Sequence, residues 1–393
     1  MKICGIICEY NPFHDGHAYL LGQAREKSGC DAIVCVLSGN FTQRGEAAVL
    51  EKHVRARHAV LAGADAVVEL PVPFAISPAE VFAHGGIRLL ASLPAFSCLA
   101  FGCESGDAGA FRAAAELLGR ESGPFRAALR AKLQEGYSLT RARFESLLQD
   151  GRTEEAALLR SPNNILGIEY CKALRAEGSD AAVLPVPRKG AGYADEALHP
   201  RFSSAAAIRA ALAEGNTAPL RGNLPDFVLD DLARRPDTRA FRTVAVCAAL
   251  ALPPEKLRAV LDCTEGLENR LRALARETPD YEDVVRGATG KRYIASRIRR
   301  ILAAAALGIE GKLVRESLRA ALYLNVLAVR KSRADELLPA LAGGAFPALL
   351  RGGDEQALSP EAARCLEADR RAEDVYAAVT GCPPPLGRRT LFV

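Results

Sequence analysis

Short continuous apolar runs alternate with helical repeats through the first half of the chain. Residues 2–8 (KICGIIC) form a β-rich apolar run. Residues 31–37 (DAIVCVL), 66–70 and 97–101 repeat the pattern, and 181–186 make a fifth. Runs of this length without a polar face are the mark of strands covered on both sides. Between them, apolar positions recur at three- and four-residue spacing. This predicts helices over about 17–27, 50–62 and 78–93, with a last one over 204–213. Buried strands alternating with helices imply βαβ units, right-handed crossovers and a parallel α/β sheet.

The fourth and fifth strands are separated by a long helical insertion, roughly 108–176. Within it, 111–118, 124–135 and 139–149 are amphipathic. Residues 216–226 carry Pro, Gly and Asn, the composition of a linker. Beyond them the chain is rich in Ala, Leu and Arg with few strand signals. The pattern therefore predicts two parts: an α/β part over 1–215 and a mainly helical one over 216–393.

Composition fits that picture. A chain of 393 residues has room for two or three domains, and 49% hydrophobic with 25% charged residues is ordinary for a folded protein. No run approaches the length of a membrane span, and the N-terminal apolar run is too short for a signal peptide, so a cytoplasmic protein with no membrane partner is expected. Eleven cysteines at irregular spacing, with no C-x-x-C, argue for reduced cysteines used as small hydrophobes, among them Cys4, Cys8, Cys35, Cys98, Cys171 and Cys247. No metal site is expected from them. The net charge of +4 is too small to identify a nucleic-acid partner, so its distribution has to decide.

The sharpest chemical feature is Glu9-Tyr10-Asn11-Pro12-Phe13-His14-Asp15-Gly16-His17, at the end of the first strand and the start of the first helix. Ligands of open α/β sheets bind at the carboxyl ends of strands, and helix N-termini attract phosphate. His14 and His17, three residues apart, can face one side of the opening turn, and Gly16 permits close approach. Two readings stand side by side. The imidazoles donate to charged oxygens, or they cap a helix.

The segment resembles the H-x-G-H signature of the nucleotidylyltransferase superfamily. The longer string GIICEYNPFHDGHAYL is similar to one of its families, the bacterial tRNA(Met) cytidine acetate ligases. SGNFTQRGEAA, GADAVVELPVPFA, FGCE, SPNNILGIEY, EGLENRL and KRYIASRIRRIL extend the likeness to about Asn325. The resemblance implies a Rossmann-like nucleotidylyltransferase domain. It also implies activation of acetate by ATP as acetyl-adenylate, then acetylation of N4 of the wobble cytidine (position 34) of elongator tRNA(Met). His14 and His17 would be catalytic. The ATP site would comprise Ile7, Cys8, Glu9, Tyr10, Asn11, Pro12, Phe13, His14, Asp15, Gly16, His17, Ala18, Tyr19 and Leu20, with Gly102, Asn163 or Asn164, Arg188 and Lys189. Leu20 stands where relatives commonly have His.

Other segments carry two readings each. The loop 38–46 is a mobile lid or a surface loop. Gly102 makes room for adenine or merely turns the chain. Arg188 and Lys189 neutralise pyrophosphate or are solvated, with Gly192 and Tyr193 just beyond. Ser203, Ser204 and Arg209 open the last helix as phosphate ligands, with alanines where hydroxyls are expected. Glu9 or Asp65 holds Mg²⁺ or an amine, or is structural. Finally, residues 286–300 hold six basic side chains and no acidic one. Lys291, Arg292, Arg297, Arg299 and Arg300 are the candidates for tRNA binding, against the alternative of a solvated helix face. An adenylyltransferase acting on a small phosphorylated metabolite needs the first site but not this segment. A non-catalytic RNA-binding protein needs the segment alone.

Overall fold

The computed structural model describes residues 1–189, 198–199, 201–351, 353–383 and 390–393. Five parallel strands occupy the five apolar runs: β1 (Ile3–Cys8), β2 (Ala32–Ser38), β3 (Ala66–Leu70), β4 (Phe96–Cys103) and β5 (Ala182–Pro187). They alternate with α1 (Asp15–Lys27), α2 (Lys52–Leu61), α3 (Val72–Ala75) and α4 (Ala79–Ala91). The insertion before β5 comprises α5 (Ala108–Gly119), α6 (Gly123–Gln134), α7 (Leu139–Gln149), α8 (Thr153–Leu158) and α9 (Pro162–Ala176). The helix α10 (Ala205–Ala213) follows β5.

Every residue of β1 and β2 is buried, because helices cover both faces. Side chains alternate between two cores. Ile3, Ile7, Val34 and Val36 pack with α4 and α9. Cys4, Ile6, Cys8, Cys35 and Leu37 pack with α1, α2 and α10. The described cysteines form no disulfide. Cys247, expected in the core, is exposed.

The remainder is mainly helical: α11 (Asp226–Leu232), α12 (Ala240–Ala251), α13 (Pro254–Ala259), α14 (Leu267–Glu277), α15 (Tyr281–Ala288), α16 (Ala295–Ala306), α17 (Gly311–Ser317), α18 (Ala334–Ala342) and α19 (Pro360–Thr380). It also supplies strands that the composition did not announce. The strand β6 (Leu324–Val329) pairs antiparallel with β3, and β7 (Ala348–Leu349) and β8 (Leu391–Phe392) join it, giving the order β5-β4-β1-β2-β3-β6-β7. Without β6, the buried strand β3 would be an open edge. The segment 216–226 is likewise no free linker, since Leu220 and Leu224 are buried against the sheet's helices. Among the described residues, no helix is long and apolar enough to cross a membrane.

The loop between β2 and α2 is anchored rather than mobile. Phe41 and Thr42 are buried, and Phe41 and Ala47 form an isolated bridge. Phe41 packs on Phe241 and Tyr376, inside the core of the C-terminal helices. Gly45, at φ +73°, lies against the backbone of Arg299, where an added Cβ would come within 2.5 Å of a carbonyl carbon. The loop thus docks on α16, the helix that carries the arginines.

Candidate active site

A cavity of about 180 Å³ opens at the carboxyl ends of β1, β4 and β5. From the first predicted stretch, Ile7, Cys8, Glu9, Tyr10, Asn11, His14, Gly16, His17, Tyr19 and Leu20 line it. Pro12, Phe13, Asp15 and Ala18 do not. Phe13 is buried in the core, and Asp15 sits outside with its amide donating to Asn223 O at 2.9 Å.

The histidines cap the helix, in an arrangement that leaves each ring a free nitrogen. His14 is the N-cap of α1, and its Nδ1 accepts from Gly16 N at 3.0 Å. His17 Nδ1 accepts from His14 N at 3.3 Å. Each Nδ1 is therefore an acceptor, which places the proton of the neutral ring on Nε2. Capping fixes the tautomer that can donate outward. The rings stack at 3.7 Å between centroids. Burial, reinforced by Arg188 and Arg209, pushes His14 down to about 3. Burial, His14 and Arg188 hold His17 well below its ordinary value. Both are neutral donors at physiological pH. Gly16 is required here, because an added Cβ would lie 2.8 Å from the folded-back His14 ring.

The amides of α1's first turn are already bonded, so phosphate binding falls to side chains there. At α10 the first positions, Ala205 and Ala206, line the cavity with amides that have no intrahelical acceptor. Ser204 caps that helix through Ala207 N. Ser203 Oγ donates to His199 O, so its hydroxyl serves the turn. Arg209 lines the cavity and donates to Asn11 O at 2.7 Å.

Gly102, Arg188 and Lys189 line the same cavity, with Lys189 Nζ 4.5 Å from the centre of the Tyr19 ring. Gly192 and Tyr193 lie outside the described residues. The paired amides separate. Asn163 faces the cavity and donates to Glu104 Oε1 at 2.6 Å. Asn164 is fully buried and holds the turn after β4, accepting from Glu104 N at 2.9 Å. Glu9 is the one carboxylate lining the cavity among the described residues. Its Oε1 accepts from Gln43 N at 2.6 Å, and burial raises its carboxyl above the usual range. Asp65 is elsewhere, tied to Arg25, Arg330 and Arg333 and accepting from Ile33 N. It is structural.

Two contributors, Asn223 and Arg55, carried no sequence signal. Asn223, in the supposed linker, holds both Asp15 N and Ser203 N, and so joins the starts of α1 and α10. Arg55 is fully buried and donates to the carbonyls of Glu9, Ser38, Gly39 and Leu50, which locks the ends of β1 and β2. Gln43 and Arg44, within the quoted loop, line this cavity and a second, larger one.

That second cavity is an open cleft of about 1270 Å³ between the insertion and α16. Arg292, Arg297, Arg299 and Arg300 line it as the stripe predicts. Lys291 does not line it, but sits 4.0 Å over the Tyr137 ring of the insertion. The segment's lack of acids is made up from elsewhere. Glu265 pairs with Arg292, and Glu282 and Glu46 with Arg299. Arg297 donates to Asp262 O.

The profile of the HIGH nucleotidyl transferase family matches residues 1–384. The tRNA(Met) cytidine acetate ligase of Caldanaerobacter subterraneus subsp. tengcongensis is 37% identical over 327 residues, 80% of each chain. That of Alkaliphilus metalliredigens is 33% identical over 398 residues, 96% of this chain and 94% of the other. The crystal structure of apo Thermotoga maritima TmcAL superposes with a TM-score of 0.92 at 28% identity, covering both chains fully. The form bound with alpha-thio ATP gives 0.90 at 27%. With this agreement in sequence and fold, the chain belongs to the tRNA(Met) cytidine acetate ligase family of the HIGH nucleotidyl transferases.

Proposed function

We propose that this chain is itself a tRNA(Met) cytidine acetate ligase, acting in the cytoplasm. It activates acetate with ATP and acetylates N4 of the wobble cytidine, position 34, of elongator tRNA(Met). The supporting observation is the convergence of His14, His17, Arg188, Lys189 and Arg209 on one cavity that adjoins an arginine-lined cleft. In this reading residues 1–215 activate acetate and residues 216–393 bring the tRNA, with β6 binding the two parts into one sheet.

In the first step an acetate oxygen attacks the α-phosphorus of ATP, and the bond to the β-phosphate breaks. His14 and His17 donate through Nε2–H to the phosphorus oxygens, while Arg188, Lys189 and Arg209 neutralise departing pyrophosphate. Gly102 and Asn163 take the adenosine. In the second step cytidine N4 attacks the acetyl carbonyl and AMP leaves. Glu9, a buried carboxylate on the cavity wall, accepts the proton that N4 loses. No serine or cysteine nucleophile is needed, because the adenylate is already the activated acyl group.

Among the described residues no three His, Cys, Asp or Glu side chains gather to hold a metal. Mg²⁺ fits here as a cation carried by the ATP phosphates, with Glu9 as the neighbouring carboxylate. Its contribution would be charge neutralisation on the triphosphate.

The test is to incubate the purified protein with ATP, ¹⁴C-acetate and tRNA. Labelled cytidine and released AMP are expected, and labelling from acetyl-CoA with none from acetate would overturn the reading. His17→Ala should lower the acetate-dependent rate by about 10²–10³, the usual effect of losing one transition-state donor.

A further inference from the structure

We propose that the helical insertion is the second wall of a groove for unpaired RNA. The groove would hold the nucleotides flanking the reacting cytidine and open into the activation cavity at Gln43 and Arg44. This deepens the ligase reading and rests on it. The first observation is charge on both walls. Arg141 and Arg160, from the insertion, face Arg292, Arg297 and Arg300 across the cleft. Arg160, Arg297 and Arg300 make no ion pair with any described carboxylate.

The second observation is apolar surface interleaved with that charge. Leu139, Leu148 and Ile294 are among the few large hydrophobic side chains left exposed, and all three line this cleft. Phe144, itself buried, also lines the cleft, with the guanidinium groups of Arg141 and Arg160 at 5.1 and 5.2 Å from its ring centre. Cations beside exposed apolar side chains suit splayed bases with their phosphates, whereas a duplex offers only backbone. The third is continuity. Gln43, Arg44, Leu166 and Ala206 line both the cleft and the cavity, so a base can leave one and enter the other.

The experiment is binding of an anticodon stem-loop transcript by wild-type protein and by R141Q/R160Q. The variant should bind roughly tenfold more weakly and show a log K against log salt slope shallower by about 1.4, at ~0.7 per phosphate contact in a single strand. Its melting temperature should match the wild type, since both residues sit on the surface. A duplex of equal length should compete poorly. Unchanged affinity and slope in the variant, or full competition by the duplex, overturns the groove. Wild-type protein that modifies no tRNA would instead overturn the ligase reading itself.

An independent observation points to a base-reading residue. The side-chain Nε2 of Gln43 is buried without any hydrogen-bond acceptor, at the junction of cleft and cavity and beside Glu9. An orphaned buried donor costs about 1–3 kcal/mol, so a ligand that completes it is expected. Again on the ligase reading, we infer that this amide donates to the N3 and O2 acceptors of the incoming cytosine. Uracil presents N3–H there and would be repelled.

The readout is competition by a tRNA transcript carrying uridine at the wobble position. Wild-type protein should be inhibited weakly by it. Q43A should bind cytidine and uridine transcripts alike, and Q43E, an acceptor in place of a donor, should favour uridine. A role confined to shaping the loop would weaken both transcripts by the same factor, and preserved discrimination in Q43A overturns the assignment.

Discussion

At position 102 the choice of glycine has no cause within the protein. Its φ is not in the left-handed region, and an added Cβ would meet only the Arg188 side chain, at 3.5 Å from Cγ and 3.9 Å from Cδ, ordinary contacts. Gly102→Ala should therefore leave stability within about 0.5 kcal/mol while raising the KM for ATP, measured by acetate-dependent pyrophosphate exchange. An unchanged KM would remove Gly102 from the ATP site. His14 gives a second prediction. Its ordinary value is 6.5 and the folded value about 3, so below pH 6.5 the unfolded chain takes up a proton that the folded chain refuses. Stability from this group is complete above 6.5 and falls as pH drops towards 3, by up to about 1.4 kcal/mol per pH unit. Asp369, raised to about 7 chiefly by burial, acts in the opposite sense. The difference between wild type and His14→Gln isolates the histidine. Urea midpoints at pH 7 and pH 5 should converge in the variant relative to wild type. Much of this placement was legible in the sequence, because H-x-G-H, Gly102 and Arg188-Lys189 each sit at a strand's carboxyl end and line one cavity. The choice between Asn163 and Asn164 was not. Adjacent residues on a helix differ only in the direction they face, and that is set by Glu104 on another element.

At the level of elements, the five parallel strands and the helices between them followed from apolar periodicity; β1 and β2 are buried along their whole length, whereas β5, at the sheet's edge, is mostly part-exposed. What periodicity could not reveal is pairing at long range. The strand β6 is a short run, apolar but for Asn325, inside Ala- and Leu-rich sequence, indistinguishable by composition from a buried helix segment. It becomes a strand because β3 offers a free edge. The helix α19 is fastened by another distant set. Lys52 Nζ meets Glu69 at 2.7 Å and also Glu373, Asn325 Nδ2 donates to Glu69 Oε2 at 2.6 Å, and Asp369 accepts from Val72 N at 2.6 Å and from the Tyr323 hydroxyl. Lys52 is 1% exposed. Its removal leaves two carboxylates buried without their cation. Lys52→Met should cost about 3–5 kcal/mol, read as a shift in the denaturation midpoint. A loss below about 1 kcal/mol would mean that α19 is held by its apolar face alone.

Over the whole molecule, the modest net charge conceals an uneven field. The cavity assigned above to activation is small and sits at the carboxyl ends of the strands, whereas the cleft beside it is wide and arginine-lined. Sequence located only half of that cleft, because Arg141 and Arg160 lie far before the basic run in the chain and are brought opposite it by folding. The two half-reactions therefore should respond differently to ionic strength. Four phosphate contacts to an unpaired strand give a slope of about −2.8, a loss of roughly 50-fold in tRNA affinity between about 50 and 200 mM salt. Acetate-dependent pyrophosphate exchange involves no release of counterions from a polyanion's backbone, and its donors are buried where screening is weak. It should change only a few-fold over the same range. Measured side by side, kcat/KM for tRNA should collapse with salt while exchange persists. Parallel decline of both would place the salt-sensitive contacts in the activation cavity and remove the cleft from tRNA binding.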